Sequence, residues 1–193
     1  GQGAQKVGMG RSLADAFPIC RETSAEADDA LGEALSTLCF GGPADRLMLT
    51  EHTQPAIVAM STAVLRLAIS RGLRASFAAG HSLGEYSAHV AAGTLSFADA
   101  LRTVRRRGRY MQEAVPVGEG AMAAILGLDA DAVGRACEES SHGEVVAPAN
   151  LNAPGQVVIA GHAAAVTRAG ARAKELGARR VLPLAVSAPF HCA

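Results

Sequence analysis

A serine between two glycines lies near the middle of the chain, in the pentapeptide GHSLG at residues 80–84. The spacing Gly-x-Ser-x-Gly is typical of a nucleophile elbow, in which the serine occupies a sharp turn between a strand and a helix. The strand and the helix approach too closely there for side chains at the flanking positions, which explains the glycines. The turn exposes the Ser82 hydroxyl at a helix N-terminus, where the Leu83 amide points at a developing oxyanion. An ordinary glycine-bounded turn is the alternative interpretation.

A serine hydroxyl needs a general base, and His191 has the most suitable position in the sequence. It follows a predicted strand, in a loop, where the base of α/β enzymes with an early serine is usually found. His81 is adjacent to the serine and diverges from it, and His89 lies beyond reach on the helix that follows. A solvated loop histidine is the alternative for His191. No carboxylate is placed to orient it, so we expect a backbone carbonyl, or an acid beyond residue 193, to do so.

A buried cation beside an acyl site would select an acidic substrate, and one arginine-rich helix, residues 96–115, offers two candidates. Arg105 and Arg107 lie on the two flanks of its apolar stripe, so helical periodicity does not choose between them. Arginines at such positions also commonly extend along the surface to solvent. The far side of the helix carries Arg102, Arg106 and Arg109, which we expect to be solvated.

Composition narrows the class of protein. The chain has 193 residues, of which 49% are hydrophobic, and its 18 basic and 18 acidic residues give no net charge. Nothing draws it to nucleic acid or to a membrane surface, and its apolar segments are too short to span a bilayer. Four scattered cysteines favour free thiols in a reducing compartment, no metal site and a cytoplasmic location: Cys20, Cys39, Cys137 and Cys192.

The elements around the serine are predicted to be mainly helical. Periodicity indicates an exposed helix over residues 18–35 and a buried helix that opens at Gln54-Pro55 and ends at Gly72. Residues 73–80 leave room for a short strand before the serine, and residues 83–93 continue as a helix. Ser96 and Asp99 form a predicted capping box for the arginine-rich helix.

After residue 117 the predicted elements change from mainly helices to strands that alternate with helices. Strands are predicted at 120–128, 143–152, 155–162 and 178–186, with helices at 129–140 and 163–177 and a turn at Ala153-Pro154-Gly155. The order βαββαβ is that of a ferredoxin-like fold. We therefore expect an α/β protein with two parts: a catalytic subdomain formed by 1–117 plus 185–193, and a small subdomain, 118–184, inserted into it.

Five motifs in the same order resemble the malonyl-CoA:acyl-carrier-protein transacylase family, which includes the acyltransferase domains of fatty-acid and polyketide synthases. GQGAQ resembles the opening GQGSQ, and GHSLGEYSA resembles GHSxGE. The arginine-helix, small-domain and histidine regions are the other three: RRRGRYMQEAVPVGEGAMAAILGL, NLNAPGQVVIAG and VSAPFHC. The resemblance implies an α/β-hydrolase-like large subdomain with the ferredoxin-like insertion.

The resemblance also implies catalytic roles. Ser82 would be the acylated nucleophile and His191 its base, and the backbone amides of Gln5 and Leu83 would form the oxyanion hole. The arginine that precedes glycine in the family motif falls on Arg107, which would bind the malonyl carboxylate as a bidentate ion pair.

It further implies the acyl pocket and the outer contacts. Met111 and Phe190 would line the acyl pocket, and phenylalanine before the histidine goes with malonyl rather than methylmalonyl. Contacts to coenzyme A or to the acidic carrier protein are expected from two pairs: Asn150 with Asn152, and Arg179 with Arg180. A solvated basic pair is the alternative for the two arginines.

The expected activity is transfer of a malonyl group from malonyl-CoA to the phosphopantetheine thiol of acyl carrier protein, by a monomer without a permanently bound cofactor. A serine esterase or thioesterase, and a non-catalytic carrier-protein docking domain, are the alternatives. Family members have an apolar strand before the opening motif and roughly another third of their length after the histidine. The chain is therefore expected to be truncated at both ends, without the loop whose carbonyl orients the histidine.

Overall fold

A computed structural model describes residues 2–116, 118–184, 186 and 188–192. Backbone contacts divide the chain into two compact units, Gly1–Tyr110 and Met111–Ala193, which we call unit 1 and unit 2. Each has its own buried apolar cluster.

The regular elements in the described part of unit 1 are all helices. Its helices are α1 (Arg11–Ala16), α2 (Pro18–Leu31), α3 (Leu35–Gly41), α4 (Ala44–Met48), α5 (Thr50–Ser70), α6 (Leu83–Ala91) and α7 (Phe97–Ala114), the last of which ends within unit 2. The apolar stripe of α7 supplies several of the most buried side chains, and its solvated arginines are exposed as expected. The stripe packs with residues from four other helices: Leu35, Leu38, Leu47, Val58 and Leu83.

The start of α7 is capped as predicted. The Ser96 hydroxyl accepts a hydrogen bond from the Asp99 amide at 3.1 Å and donates one to the Asp99 carboxylate at 2.6 Å. The cap satisfies a backbone N–H that has no partner within the helix. It therefore fixes where α7 begins, and with it the positions of the arginines farther along.

Two predictions for unit 1 are wrong. The buried helix begins at Thr50 rather than at Gln54, so Pro55 lies inside α5 and removes one donor near its first turns without ending it. Residues 73–80 form no strand, and Phe77 is 95% exposed. A strand needs a neighbouring strand to complete its ladder, and the described part of unit 1 contains none.

Unit 2 follows the predicted order βαββαβ. Its elements are β1 (Gly120–Leu126), α8 (Ala130–Ser140), β2 (Val146–Ala153), β3 (Gln156–His162), α9 (Ala163–Glu175) and β4 (Arg180–Pro183). The strands form an antiparallel sheet in the order β2-β3-β1-β4. The order of elements and the turn between β2 and β3 are confirmed, whereas β4 is shorter than predicted.

The sheet of unit 2 buries both faces, because alternate residues of a strand point to opposite sides. Ala123 and Ile125 of β1 face α8 and α9. Met122 and Ala124, on the other face, pack against Phe190 and its neighbours near the end of the chain.

Asp129 caps α8, because its carboxylate accepts a hydrogen bond from the Ala132 amide at 2.7 Å. We expect Asp129→Ala to lower the free energy of unfolding by about 1 kcal/mol, because that amide loses its partner. Chemical denaturation of the full-length protein, followed by circular dichroism, measures the loss.

The matched control is Asp131→Ala, which removes an acidic side chain from the first turn of the same helix without removing the cap. An equal loss in both variants would mean that charge near the helix N-terminus, rather than the capping hydrogen bond, provides the stabilisation.

Candidate active site

Ser82 occupies a tight turn immediately before α6. Its backbone angles, φ 53° and ψ −109°, lie in a region that residues with a side chain rarely adopt. Such strain persists only where the surrounding structure imposes it, and it is common at functional sites. Ser82 is the residue before the first turn of α6, whose first amides have no partner within the helix.

The two glycines of the pentapeptide are not equivalent. A Cβ on Gly80 would overlap the backbone carbonyl group of Gly84 and approach the Glu85 amide closer than real Cβ atoms do. A Cβ on Gly84 would meet nothing within 4 Å. The prediction that both glycines allow the close approach is therefore right for Gly80 and wrong for Gly84.

Arg107 is the cation that reaches the serine. Its Nη2 donates a hydrogen bond to Ser82 Oγ at 3.2 Å, and its Nη1 donates one to Gln54 Oε1 at 2.7 Å. The guanidinium carbon also lies 5.9 Å from the centre of the Tyr86 ring. A planar guanidinium held in this way presents a fixed pair of donors beside the hydroxyl, a geometry suited to a carboxylate.

Gln54 is a site residue for which sequence reasoning assigned no role. It is fully buried in α5, and its Nε2 donates to the Thr50 hydroxyl at 3.2 Å. That hydroxyl also accepts from Gln2 Nε2 at 2.7 Å, so hydrogen bonds connect the opening motif to Arg107. The available signal was a glutamine in a helix that is apolar nearly all round, since a buried amide must find partners.

The predicted oxyanion residues both lie in unit 1. Leu83 is buried at the first position of α6, directly after the serine. Gln5 lies in the opening segment, where its side-chain Oε1 accepts from the Gly3 amide at 2.7 Å. The joint use of their backbone amides as an oxyanion hole stays a prediction.

His191, Phe190 and Met111 belong to unit 2. His191 is exposed and has a left-handed backbone with φ 60°, and the adjacent Phe190 is buried. Met111 packs, partly buried, against the same cluster as Phe190. The buried Phe190 ring packs the backbone next to His191 against the sheet.

The predicted outer contacts lie on the two edge strands of the sheet. Asn150 and Asn152 are on β2, while Arg179 and Arg180 precede or begin β4. The pairings Ala153 with Gln156, Gln156 with Leu126 and Leu126 with Arg180 form one row across the sheet. The two pairs therefore lie at the same end of the sheet, on edges about 14 Å apart.

The cysteines are poor nucleophiles here. All four are free thiols, as predicted, and burial raises the pKa of Cys39 and of Cys137 to about 11. Burial also raises the pKa of Cys192, beside His191. Thiols with such pKa values are protonated at neutral pH, so none of these three cysteines is activated as a thiolate.

Two further properties concern only the described part of the chain. No group of three or more His, Cys, Asp or Glu side chains there is arranged to hold a metal ion. None of the helices found there has both the length and the apolar character that crossing a bilayer requires.

The strained serine before a helix and the arginine beside it are the arrangement that the resemblance to acyltransferases predicts, and comparison with known proteins gives the same family. The acyl transferase domain family matches residues 1–193, and the chain belongs to that family.

Its relatives carry a more particular name. The chain is 57% identical to the malonyl CoA-acyl carrier protein transacylase of Escherichia coli O157:H7, with all of the chain and 63% of that protein covered. It is 53% identical to the transacylase of Bacillus subtilis, covering 99% of the chain and 61% of the relative. The chain thus spans less than two thirds of the length of these relatives.

Two solved structures of malonyl transacylases are also similar to this chain. A malonyl-transacylase in complex with a type II PKS acyl-carrier protein matches with a TM-score of 0.95 and 54% identity, covering the whole chain and 63% of its own. The malonyl CoA-acyl carrier protein transacylase of Coxiella burnetii matches with a TM-score of 0.94 and 47% identity, over 98% of this chain and 60% of its own.

The role of Gly80 in the serine turn can be tested directly. We expect Gly80→Ala to reduce labelling of Ser82 by a fluorophosphonate probe by at least about tenfold, because the added methyl group displaces the start of α6 and relaxes the strained serine. The rate of labelling in the full-length protein, followed by intact mass, measures the effect.

Gly84→Ala is the matched control, because its methyl group enters open space. It should label within about twofold of wild type. Equal loss in the two variants, or none in Gly80→Ala, would contradict the assigned role of Gly80.

Proposed function

We propose that the chain transfers a malonyl group from malonyl-CoA to the phosphopantetheine thiol of acyl carrier protein through a malonyl-Ser82 ester. The observation that carries the proposal is the contact of Arg107 with both Ser82 Oγ and buried Gln54. A guanidinium beside a nucleophile is costly to bury unless an anion pairs with it, so the site favours an acyl group that ends in a carboxylate. The names of the relatives support malonyl as that group.

The first chemical step forms the acyl-enzyme. His191 takes the proton of Ser82 as Oγ attacks the thioester carbonyl, and the amides of Leu83 and Gln5 stabilise the oxyanion. When the tetrahedral intermediate collapses, the carbon–sulfur bond breaks, coenzyme A leaves as its thiol with the proton from His191, and the malonyl ester remains. Arg107 binds the free carboxylate throughout, and Phe190 and Met111 line the space around the acyl chain.

The second step reverses the first with another thiol. His191 deprotonates the phosphopantetheine thiol of acyl carrier protein, which attacks the ester carbonyl and releases Ser82. The acyl group is neither oxidised nor reduced, so neither step needs an oxidant or a reductant. For the whole protein we propose an α/β-hydrolase-like catalytic subdomain with the small sheet as a ferredoxin-like insertion, acting as a cytoplasmic monomer.

The deciding experiment is intact mass spectrometry of the full-length protein after brief incubation with malonyl-CoA. We expect one malonyl adduct on wild type and none on Ser82→Ala, with an adduct retained on the matched control Ser76→Ala, whose serine is exposed and precedes the turn. Addition of acyl carrier protein should move the adduct to the carrier. Loss of the adduct to water instead would indicate a thioesterase, and binding of the carrier without any adduct would indicate a docking domain.

Arg107→Ala should lower kcat/KM for malonyl transfer by about a hundredfold or more, because the malonyl carboxylate then enters a desolvated site without its partner. Acetyl transfer, which has no carboxylate to pair, should fall far less. Steady-state assays with both acyl-CoA substrates give the comparison.

Arg106→Ala is the matched control, because Arg106 is an exposed neighbour on the same helix. It should leave both rates within about twofold of wild type. Parallel losses of malonyl and acetyl transfer in Arg107→Ala would remove the carboxylate-binding role.

The basic pair at the start of β4 has a separate test. Charge reversal in an Arg179→Glu/Arg180→Glu variant should raise KM for acyl carrier protein by about tenfold at low salt, with the difference shrinking as salt screens the charges. The rate of serine acylation by malonyl-CoA separates carrier binding from coenzyme A binding: an equal effect on that rate would assign the pair to coenzyme A phosphates.

A further inference from the structure

The other flanking arginine of α7, Arg105, has its own buried partners. Its Nη2 lies 3.0 Å from Glu33 Oε2, and its Nη1 donates to the Leu31 carbonyl oxygen at 3.2 Å. The Arg105 and Glu33 side chains are only 19% and 20% exposed. The pair therefore joins α7 to the segment that connects α2 with α3.

Glu33 also faces α5. Its second carboxylate oxygen, Oε1, lies 3.6 Å from Nδ1 of His52, which is almost completely buried. Burial lowers the pKa of His52 despite the nearby carboxylates of Glu33 and Glu51, so the imidazole is neutral at pH 7. The net charge at this position is thus carried by Glu33 and Arg105, together with the more exposed Arg46 at 3.9 Å.

These contacts parallel those of the active-site arginine. His52 and Gln54 are two residues apart on α5, and Arg105 and Arg107 are two residues apart on α7. Two residues on a helix are rotated by about 200°, so the two arginines hold α7 from opposite flanks of its apolar stripe. Arg105 contacts the α2–α3 connection, and Arg107 contacts Gln54 and Ser82.

On the apolar stripe that separates the two flanks of α7, the backbones of α5 and α7 are in direct contact at Gly108. A Cβ on Gly108 would lie 2.6 Å from the Thr50 carbonyl oxygen and 2.7 Å from Glu51 Cα. The helices meet here without an intervening side chain, so their separation is fixed but rotation of α7 about its own axis is not. Rotation is opposed by the side chains that leave the two flanks.

We propose that Glu33 and Arg105 are positioning residues that fix the rotation of α7 and thereby hold Arg107 in place to receive the acyl carboxylate beside Ser82. The inference rests on the proposed malonyl transfer. Loss of either partner leaves the other as a desolvated charge, which is relieved only if α7 rotates or the side chain withdraws toward solvent. Both movements shift the guanidinium of Arg107.

Displacement of the Arg107 guanidinium should affect the transfer of acidic acyl groups specifically. The serine turn is built from its own backbone around Gly80, and it does not depend on Arg105. An acyl group without a carboxylate forms no ion pair with Arg107. Displacement of Arg107 should therefore weaken malonyl transfer far more than acetyl transfer, a difference that a general loss of folding cannot produce.

The experiment compares kcat and KM for malonyl-CoA and acetyl-CoA in the full-length protein. In Arg105→Met, which keeps the length of the side chain without its charge, we expect kcat/KM for malonyl transfer to fall about tenfold, mainly through KM, with acetyl transfer within about twofold of wild type. Arg105→Lys, which keeps the charge, should recover part of the loss. The double variant Glu33→Leu/Arg105→Met, which removes both charges, should lose less than the single variant.

The matched control is the more exposed ion pair between α7 and α5, Glu51 with Arg109 at 2.7 Å. Because this pair is solvated, Arg109→Met should leave both substrates within about twofold of wild type. Parallel loss of malonyl and acetyl transfer in Arg105→Met, or no loss of either, would overturn the inference. If Arg105→Met does not fold, the double variant carries the same comparison of substrates. A wild-type protein that transfers no malonyl would instead overturn the proposed function.

Discussion

The hydrogen bond from Arg107 to Ser82 depends on two backbone constraints in unit 1. On one side, the absence of a side chain at Gly80 lets the segment before the serine approach the start of α6, which holds the serine in its strained conformation. On the other side, Gly108 lets α7 contact the backbone of α5 directly. One glycine places the hydroxyl and the other places the helix that carries the guanidinium, so a methyl group at either position changes the distance between them.

Buried polar groups determine the chemistry of this site more than apolar packing does. Gln54 cannot be solvated, so its amide must be satisfied by Thr50 and Arg107, and this requirement fixes the side chain of the arginine. The same reasoning applies to Glu33 and Arg105, whose charges are too buried to be satisfied by water alone. Arg107 connects α7 to α5 through Gln54, and Arg105 connects α7 to the segment between α2 and α3 through Glu33.

Unit 2 has a different organisation. Its sheet uses alternation of small apolar residues to bury α8 and α9 against one face and Phe190 against the other. With few aromatic residues in the chain, one buried ring contributes a large share of the packing on its face. Phe190 thereby fixes the segment that carries His191, the proposed base.

The elements of unit 2 could be predicted from the sequence because each depends on neighbours in the chain: short apolar runs in β1 and β3, the Asp129 cap and the turn at Gly155. The segment at 73–80 could not, because a strand requires a partner that local sequence does not specify. Ser82, Arg107 and their neighbouring glycines were recognisable from spacing and from family motifs. Helical periodicity left Arg105 and Arg107 equivalent, since both flank the same stripe. The family motif selected Arg107, but only the tertiary structure gave the physical reason. It places Gln54 and the serine on one flank and Glu33 on the other, because partners for a buried charge come from residues distant in the chain.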